Sequence, residues 1–173
     1  MQYKDLSCGL TDKEFVEIVN LENSYNESTD GQNQNQTQPD IDFTGKYRMT
    51  KSENFDKFLE ELGVGFLQRT LANRAKPDYE ITKNGDYYTL KTISQFKTSE
   101  ITFKFGEQFE ENRLDGERVK STIVQKGNKW VQNQVSDNNK VVKVVREFNG
   151  DSITVTGVVN NVVFVRVYER VTD

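Results

Sequence analysis

The stretch KVVKVVREFNGDSITVTGVVNNVVFVRVYERV, residues 140–171, runs in apolar segments of β-branched and aromatic residues broken at Asn149-Gly150 and Asn160-Asn161. Side chains of a strand point alternately to its two faces, and Asn-Gly between such runs is a strong hairpin signal. The stretch therefore reads as antiparallel strands joined by tight turns. Two arginines sit inside it. Over 142–148, Val142, Val144, Arg146 and Phe148 share one face, opposite Lys143, Val145 and Glu147. Further on, Phe164, Arg166 and Tyr168 oppose Val163, Val165 and Val167. A guanidinium keeps its charge at any ordinary pH, and leaving it buried without a partner costs several kcal/mol, so something anionic should answer it. The competing reading pairs the arginines with Glu147 or Glu169, or lays them outside with their stems on apolar surface. Parity puts Arg146 on the more apolar, inward face; for Arg166 it leaves the side open.

Upstream the same punctuation continues, at Asn84-Gly85, Gly106, Asp115-Gly116, Gly127-Asn128 and Asp137-Asn138-Asn139. Intervals of about 8 to 12 residues mark an up-and-down meander. One strand at 44–50 and about nine after Pro77 favour closure, which removes exposed edges and leaves a barrel too wide for side chains alone to fill. Between them, Phe55, Phe58, Leu59 and Leu62 keep the spacing of one helical face. Gly63-Val64-Gly65 stops that helix, and Phe66, Leu67 and Leu71 begin a second amphipathic turn. The fold class expected is mainly β: a ten-stranded antiparallel up-and-down β-barrel lidded by a helix-turn-helix, with a disordered N-terminal extension. A DNA-reading helix pair would present a basic second helix, and this one offers only Arg69 and Arg74.

At 173 residues and 34% hydrophobic, the chain fits one domain plus a tail. Residues 1–41 read as the extension and 42–173 as the barrel. Within the extension, Thr11 and Glu14 form a capping box and Leu10 and Phe15 a staple, which predicts a short helix over 11–21. Residues 23–38 are nearly all Asn, Gln, Ser, Thr, Glu and Gly, a composition expected to stay disordered. A net charge of −4 offers no general attraction to nucleic acid, and none is expected as a partner. The chain has no histidine and one cysteine, Cys8, so histidine-based catalysis, zinc hydrolysis and an internal disulfide are excluded. No enzyme, metal or cofactor is expected. Neither a membrane-length apolar run nor a secretory type of N-terminus is present, which makes the cytoplasm the expected location, with the nucleus as an additional one.

From Phe43 to Val171 the chain resembles the intracellular fatty-acid-binding proteins, a family that includes the cellular retinoid-binding proteins. The resemblance rests on Phe43-Thr44-Gly45-Lys46-Tyr47 with Ser52-Glu53-Asn54-Phe55-Asp56, on Leu62-Gly63-Val64-Gly65-Phe66 between the helices, and on Lys91-Thr92 through Phe96-Lys97-Thr98. Val145-Arg146-Glu147 and Val165-Arg166-Val167-Tyr168 fall where that family holds a ligand carboxylate. The resemblance implies a fatty acid or similar acidic lipid in a water-containing cavity. Arg166 and Tyr168 would touch its carboxylate directly, and Arg146 directly or through water. Phe55, Phe58, Ala72 and Phe96 would line the portal and tail path. It implies a monomeric carrier that touches membranes transiently through its helical lid, using Lys57, Arg69, Arg74 and Lys97. The alternatives are a lipid-switched regulatory interaction protein, with the 11–21 helix docking on a partner or across the portal, and a carrier of a retinoid-like acidic terpenoid. Several positions depart from the pattern. Arg74 stands where relatives carry a small or apolar residue, Glu117 where they often carry a basic one, and the extension has no counterpart. Trp130 shares parity with Gln132 and Gln134, so it either faces the cavity or serves as ordinary packing.

Overall fold

The computed structural model describes residues 40–113 and 115–172. The helix expected at 11–21 and the linker at 23–38 lie outside the described residues. In chain order the elements are β1 (Gly45–Glu53), α1 (Phe55–Glu61), α2 (Phe66–Arg74), β2 (Asp78–Asn84), β3 (Tyr87–Ile93), β4 (Thr98–Lys104), β5 (Gln108–Asn112), β6 (Arg118–Lys126), β7 (Lys129–Ser136), β8 (Val141–Asn149), β9 (Ser152–Val159) and β10 (Val162–Arg170). The sheet order is β4-β3-β2-β1-β10-β9-β8-β7-β6-β5. Every ladder is antiparallel, and β1 pairs with β10, so the first strand closes against the last. Closure stops one seam short of the full barrel expected, because β4 and β5 form the two margins of the sheet. The turn between them bonds elsewhere, Gly106 N donating to Ile123 O of β6 at 2.9 Å.

β1 extends beyond the expected 44–50, to Glu53, and its register shifts between Met49 and Lys51. An extra residue in one strand bends it and changes which side chains share a face. Met49 stands opposite Tyr168 before the shift and Ser52 opposite Arg166 after it. The strand then hands over to α1 through Asn54, which takes a left-handed conformation (φ 60°) and donates from Nδ2 to Val163 O at 2.7 Å.

The two lid helices differ in what they bury. α1 puts Phe55, Phe58 and Leu59 into the core, as its apolar spacing predicts. α2 buries none of its residues: Phe66 is 76% exposed, Leu67 67%, and Ala72 is half-buried against the core. It is held on α1 by polar contacts, Arg69 Nε to Asp56 Oδ1 at 3.1 Å, Arg69 Nη1 to Val64 O at 3.2 Å, and Asn73 Nδ2 to Asp56 Oδ1 at 2.9 Å. The amphipathic pattern thus corresponds to an outward apolar face, because the contact with α1 satisfies hydrogen bonds instead of covering carbon.

The end opposite the lid is plugged by aromatic rings. Trp130 is fully buried, with ring centroids 5.3 Å from Phe43, 5.2 Å from Tyr88 and Phe103, and 4.9 Å from Phe148. Of the two readings of Trp130, packing is the one realised. Under the lid, Phe164 fits edge-on to Phe55 at 5.0 Å and Phe58 at 4.6 Å. Its opposite number across the ladder is Gly157, where an added Cβ would overlap the Phe164 ring. Gly157→Ala should therefore displace Phe164, loosen α1 and cost about 1–3 kcal/mol of stability, the usual range for overpacking. Urea denaturation measures this, and an unchanged midpoint would contradict it.

Candidate functional site

The ladders place Arg146 of β8 opposite Val155 of β9, and Val155 opposite Arg166 of β10. Residues directly opposite one another share a face, so both arginines lie in one row on the interior side, with Tyr168 two positions along from Arg166. Each arginine is 7% exposed and Tyr168 is 1% exposed. The structure thereby decides the side of Arg166 that parity left open.

Neither arginine makes the ion pair that the competing reading supplied. Glu147 is on the other face and pairs with Lys129 at 3.7 Å, and no ion pair among the described residues involves Arg146 or Arg166. Arg146 donates from Nη1 to Gln132 Oε1 at 2.7 Å, its Nε is buried without a hydrogen-bond partner, and its guanidinium lies 6.0 Å from the Tyr79 ring centre. Arg166 donates from Nε to Ser52 Oγ at 3.1 Å, and its guanidinium carbon sits 3.3 Å from the centre of the Phe55 ring. The face of a ring is negative, so this contact offsets part of the cation's desolvation without neutralising it. Burial pulls the Arg166 guanidinium below its usual pKa, against the opposing influence of Tyr168 and Tyr79.

Tyr168 stacks on Tyr79, with centroids 4.0 Å apart and planes inclined by 8°. Burial, with Tyr79 alongside, pushes the Tyr168 phenol well above the ordinary range, and the nearby Arg166 only partly opposes this. The hydroxyl stays protonated at any ordinary pH and is a neutral donor beside a cation. The row can thus offer an entering anion guanidinium N–H groups and one O–H, an arrangement matched to a carboxylate.

The portal and tail candidates fall in different places. Phe55 touches Arg166 itself, and Phe58 on α1 packs against Phe164 of β10. Ala72 contributes from the half-buried side of α2, while Phe96 stands 50% exposed on the β3–β4 turn. That turn is pinned by Ser94, whose Oγ donates to Lys97 O at 2.9 Å and accepts from Lys97 N at 3.1 Å. Arg74 is an exposed charge. At the β5–β6 turn, Glu117 does not prevent an ion pair, because Arg113 supplies the cation: its Nη2 meets Asp115 Oδ2 at 2.7 Å and Glu117 Oε2 at 3.1 Å. Burial pushes the Asp115 carboxyl upward, but the Arg113 bonds outweigh it and hold the group below its ordinary value.

Five further contributors were given no site role from the sequence: Tyr79, Ser121 and Gln132, which are buried, Glu111, which is half-buried, and Ser52, which is exposed. Gln132 is 1% exposed and relays Arg146, its Nε2 donating to Glu111 Oε2 at 3.1 Å and to Ser121 Oγ at 3.3 Å. Gln134 also donates to Glu111. Burial raises the pKa of Glu111, and Arg146 works against it. The signal for Gln132 was its parity with Trp130. Glu111, in Phe109-Glu110-Glu111-Asn112, has the look of a surface charge.

A ten-stranded meander curved around buried cations and open at the β4–β5 seam, with an aromatic plug at one end and two helices at the other, is a barrel of the calycin class. The model of the lipocalin / cytosolic fatty-acid binding protein family matches residues 44–171, and the chain belongs to that family. A fatty acid-binding protein of Lepidoglyphus destructor is 54% identical over 127 residues, covering 73% of this chain and 95% of the relative. Among solved structures, a fatty acid-binding protein from the brain of Drosophila melanogaster aligns with TM-score 0.70 and 48% identity, over 74% of this chain and 99% of that one. The Schistosoma mansoni fatty acid binding protein in complex with arachidonic acid aligns with TM-score 0.72 and 38% identity, over 75% and 96%.

Proposed function

We propose that this protein binds a long-chain fatty acid or a similar lipid carboxylate inside its barrel and carries it through the cytoplasm as a monomer, without chemical change to the lipid. The observation that carries this reading is the interior row of two buried guanidinium groups without an ion pair among the described residues. Arg166 and Tyr168 take the carboxylate directly, and Arg146 takes it directly or through water. Phe55, Phe58, Ala72 and Phe96 mark the tail path. A tail contributes roughly 0.8 kcal/mol per buried CH₂, so about ten methylenes supply about 8 kcal/mol before association costs. The head-group cluster sets orientation and rejects neutral lipids. The names of the aligned relatives and the arachidonic acid in the Schistosoma complex support the same ligand class. Displacement of a fluorescent fatty-acid analogue by oleate is the test, and a purified, delipidated protein that takes up neither would refute the reading.

Delivery to membranes belongs to the same proposal. Phe66, Leu67 and Leu71 on α2 and Phe96 on the neighbouring turn present carbon to solvent, with Lys57, Arg74 and Lys97 exposed around them. Arg69, whose side chain is 16% exposed and bound to Asp56, is committed to the lid and leaves that set. No helix among the described residues is long and apolar enough to cross a membrane. Fatty-acid transfer to anionic vesicles should slow severalfold between low and physiological salt as the lysine and arginine attraction is screened. A salt-independent rate would remove the membrane step.

A further inference from the structure

The interior holds one charge for which carboxylate binding has no use. Glu111 on β5 reaches Arg146 on β8 through a single amide: Arg146 Nη1 donates to Gln132 Oε1 at 2.7 Å, and Gln132 Nε2 donates to Glu111 Oε2 at 3.1 Å. A glutamine placed this way has its amide dipole aligned between a cation and an anion, and each end holds the other in orientation. Gln134 gives Glu111 a second amide donor. The charged groups acting on Glu111 are Arg146 from β8 and Arg113 from the β5–β6 turn. Arg113 is already answered by Asp115 and Glu117. With Lys143 buried on the opposite face of β8, the barrel-facing charges besides the Arg113 cluster are Arg146, Arg166 and the half-buried Glu111: two positive, one negative, and one positive charge in excess.

We infer that Glu111 sets the ligand charge this barrel accepts, restricting it to one monoanionic head group by occupying the electrostatic capacity that a second negative charge would need. This rests on the carboxylate-lipid reading above. With a monocarboxylate in place the interior is neutral. A dianionic head group of the same chain length leaves it one charge negative beside the buried guanidinium groups, where excess charge is costly. Burial already draws Glu111 toward its neutral form, so a dianion should be admitted only with uptake of a proton.

The probes are dodecanoate or a longer fatty acid, the alkyl sulfate of matched length, which is a monoanion, and the alkyl phosphate, which is largely dianionic at pH 8. With the full chain at pH 8, the carboxylate and sulfate should bind at least about tenfold more tightly than the phosphate. Calorimetry in buffers of different ionisation enthalpy should register proton uptake only for the phosphate. E111Q should cut the carboxylate-to-phosphate preference about tenfold, with less proton uptake on phosphate binding. An equal preference in wild type and E111Q overturns the inference. So does tight phosphate binding to the wild type without proton uptake, a measurement that stands even if E111Q fails to fold. Failure of the wild type to bind any carboxylate would instead defeat the underlying functional reading.

Discussion

Arg166→Met should make the delipidated protein more stable and, on the proposed function, a much weaker fatty-acid binder. In the ligand-free barrel the Arg166 guanidinium is 7% exposed and faces the Ser52 hydroxyl, the Phe55 ring and two phenols. None of these carries a full negative charge at neutral pH, so its desolvation is only partly offset. Replacing buried ionic groups by apolar ones of similar volume is commonly neutral or stabilising by about 1–4 kcal/mol. For a domain of this size that is a rise of several degrees in Tm. The same substitution removes charge-assisted hydrogen bonds to the ligand, worth about 1.5–3 kcal/mol each, so affinity should fall roughly a hundredfold. Thermal unfolding of the delipidated proteins and displacement titrations provide both numbers. A lower Tm together with unchanged affinity would take Arg166 out of the site. Opposite signs in stability and binding are the signature of a residue kept for its ligand, since a structural arginine would lose on both counts.

Trp130→Ala should be among the most damaging substitutions for folding. The indole is fully buried and centres the aromatic plug formed with Phe43, Tyr88, Phe103, Phe105 and Phe148. Truncating a buried Trp or Phe typically costs about 3–5 kcal/mol, from lost transfer free energy and the cavity left behind. Against a total stability of about 5–15 kcal/mol for a native domain, this removes a large share of the margin. Trp130→Phe should do much less harm. It keeps a ring in the cluster and removes the indole N–H, which is buried with no hydrogen-bond partner. Urea titrations of the two variants separate the cases, and an alanine cost below about 1 kcal/mol would show that neighbouring rings can refill the space. Trp130 lies directly opposite Arg146 in the β7–β8 ladder, so a collapsed plug should also disturb that arginine.

Local chemistry made much of this architecture legible. Asn-Gly pairs and period-two runs located the strands, and the spacing of Phe55, Phe58, Leu59 and Leu62 located the first lid helix. Parity put Arg146 inside. It could not do so for Arg166, because Val163, Val165 and Val167 make both faces of β10 equally apolar in sequence. Ser52 was quoted only in the family motif, because the first strand was expected to end at residue 50; the longer β1 and the register shift after Met49 set it opposite Arg166. A single inserted residue breaks period-two reasoning without leaving a compositional mark. On α2 the apolar pattern was read correctly but its destination was not legible, since the same residues serve a buried face or an exposed one.

The sequence by itself determined the meander, the helical lid and the presence of two costly cations in apolar strands, because turn chemistry, periodicity and charge are properties of neighbouring residues. Only the tertiary structure decided that Arg146 and Arg166 share one interior row, that neither is answered by Glu147 or Glu169, and that Glu111 reaches Arg146 through Gln132. Those facts join β5, β7, β8 and β10, strands that the pairing register of the sheet sets beside one another. Whether a buried charge has a counterion depends on which side chains of neighbouring strands that register brings to the same face.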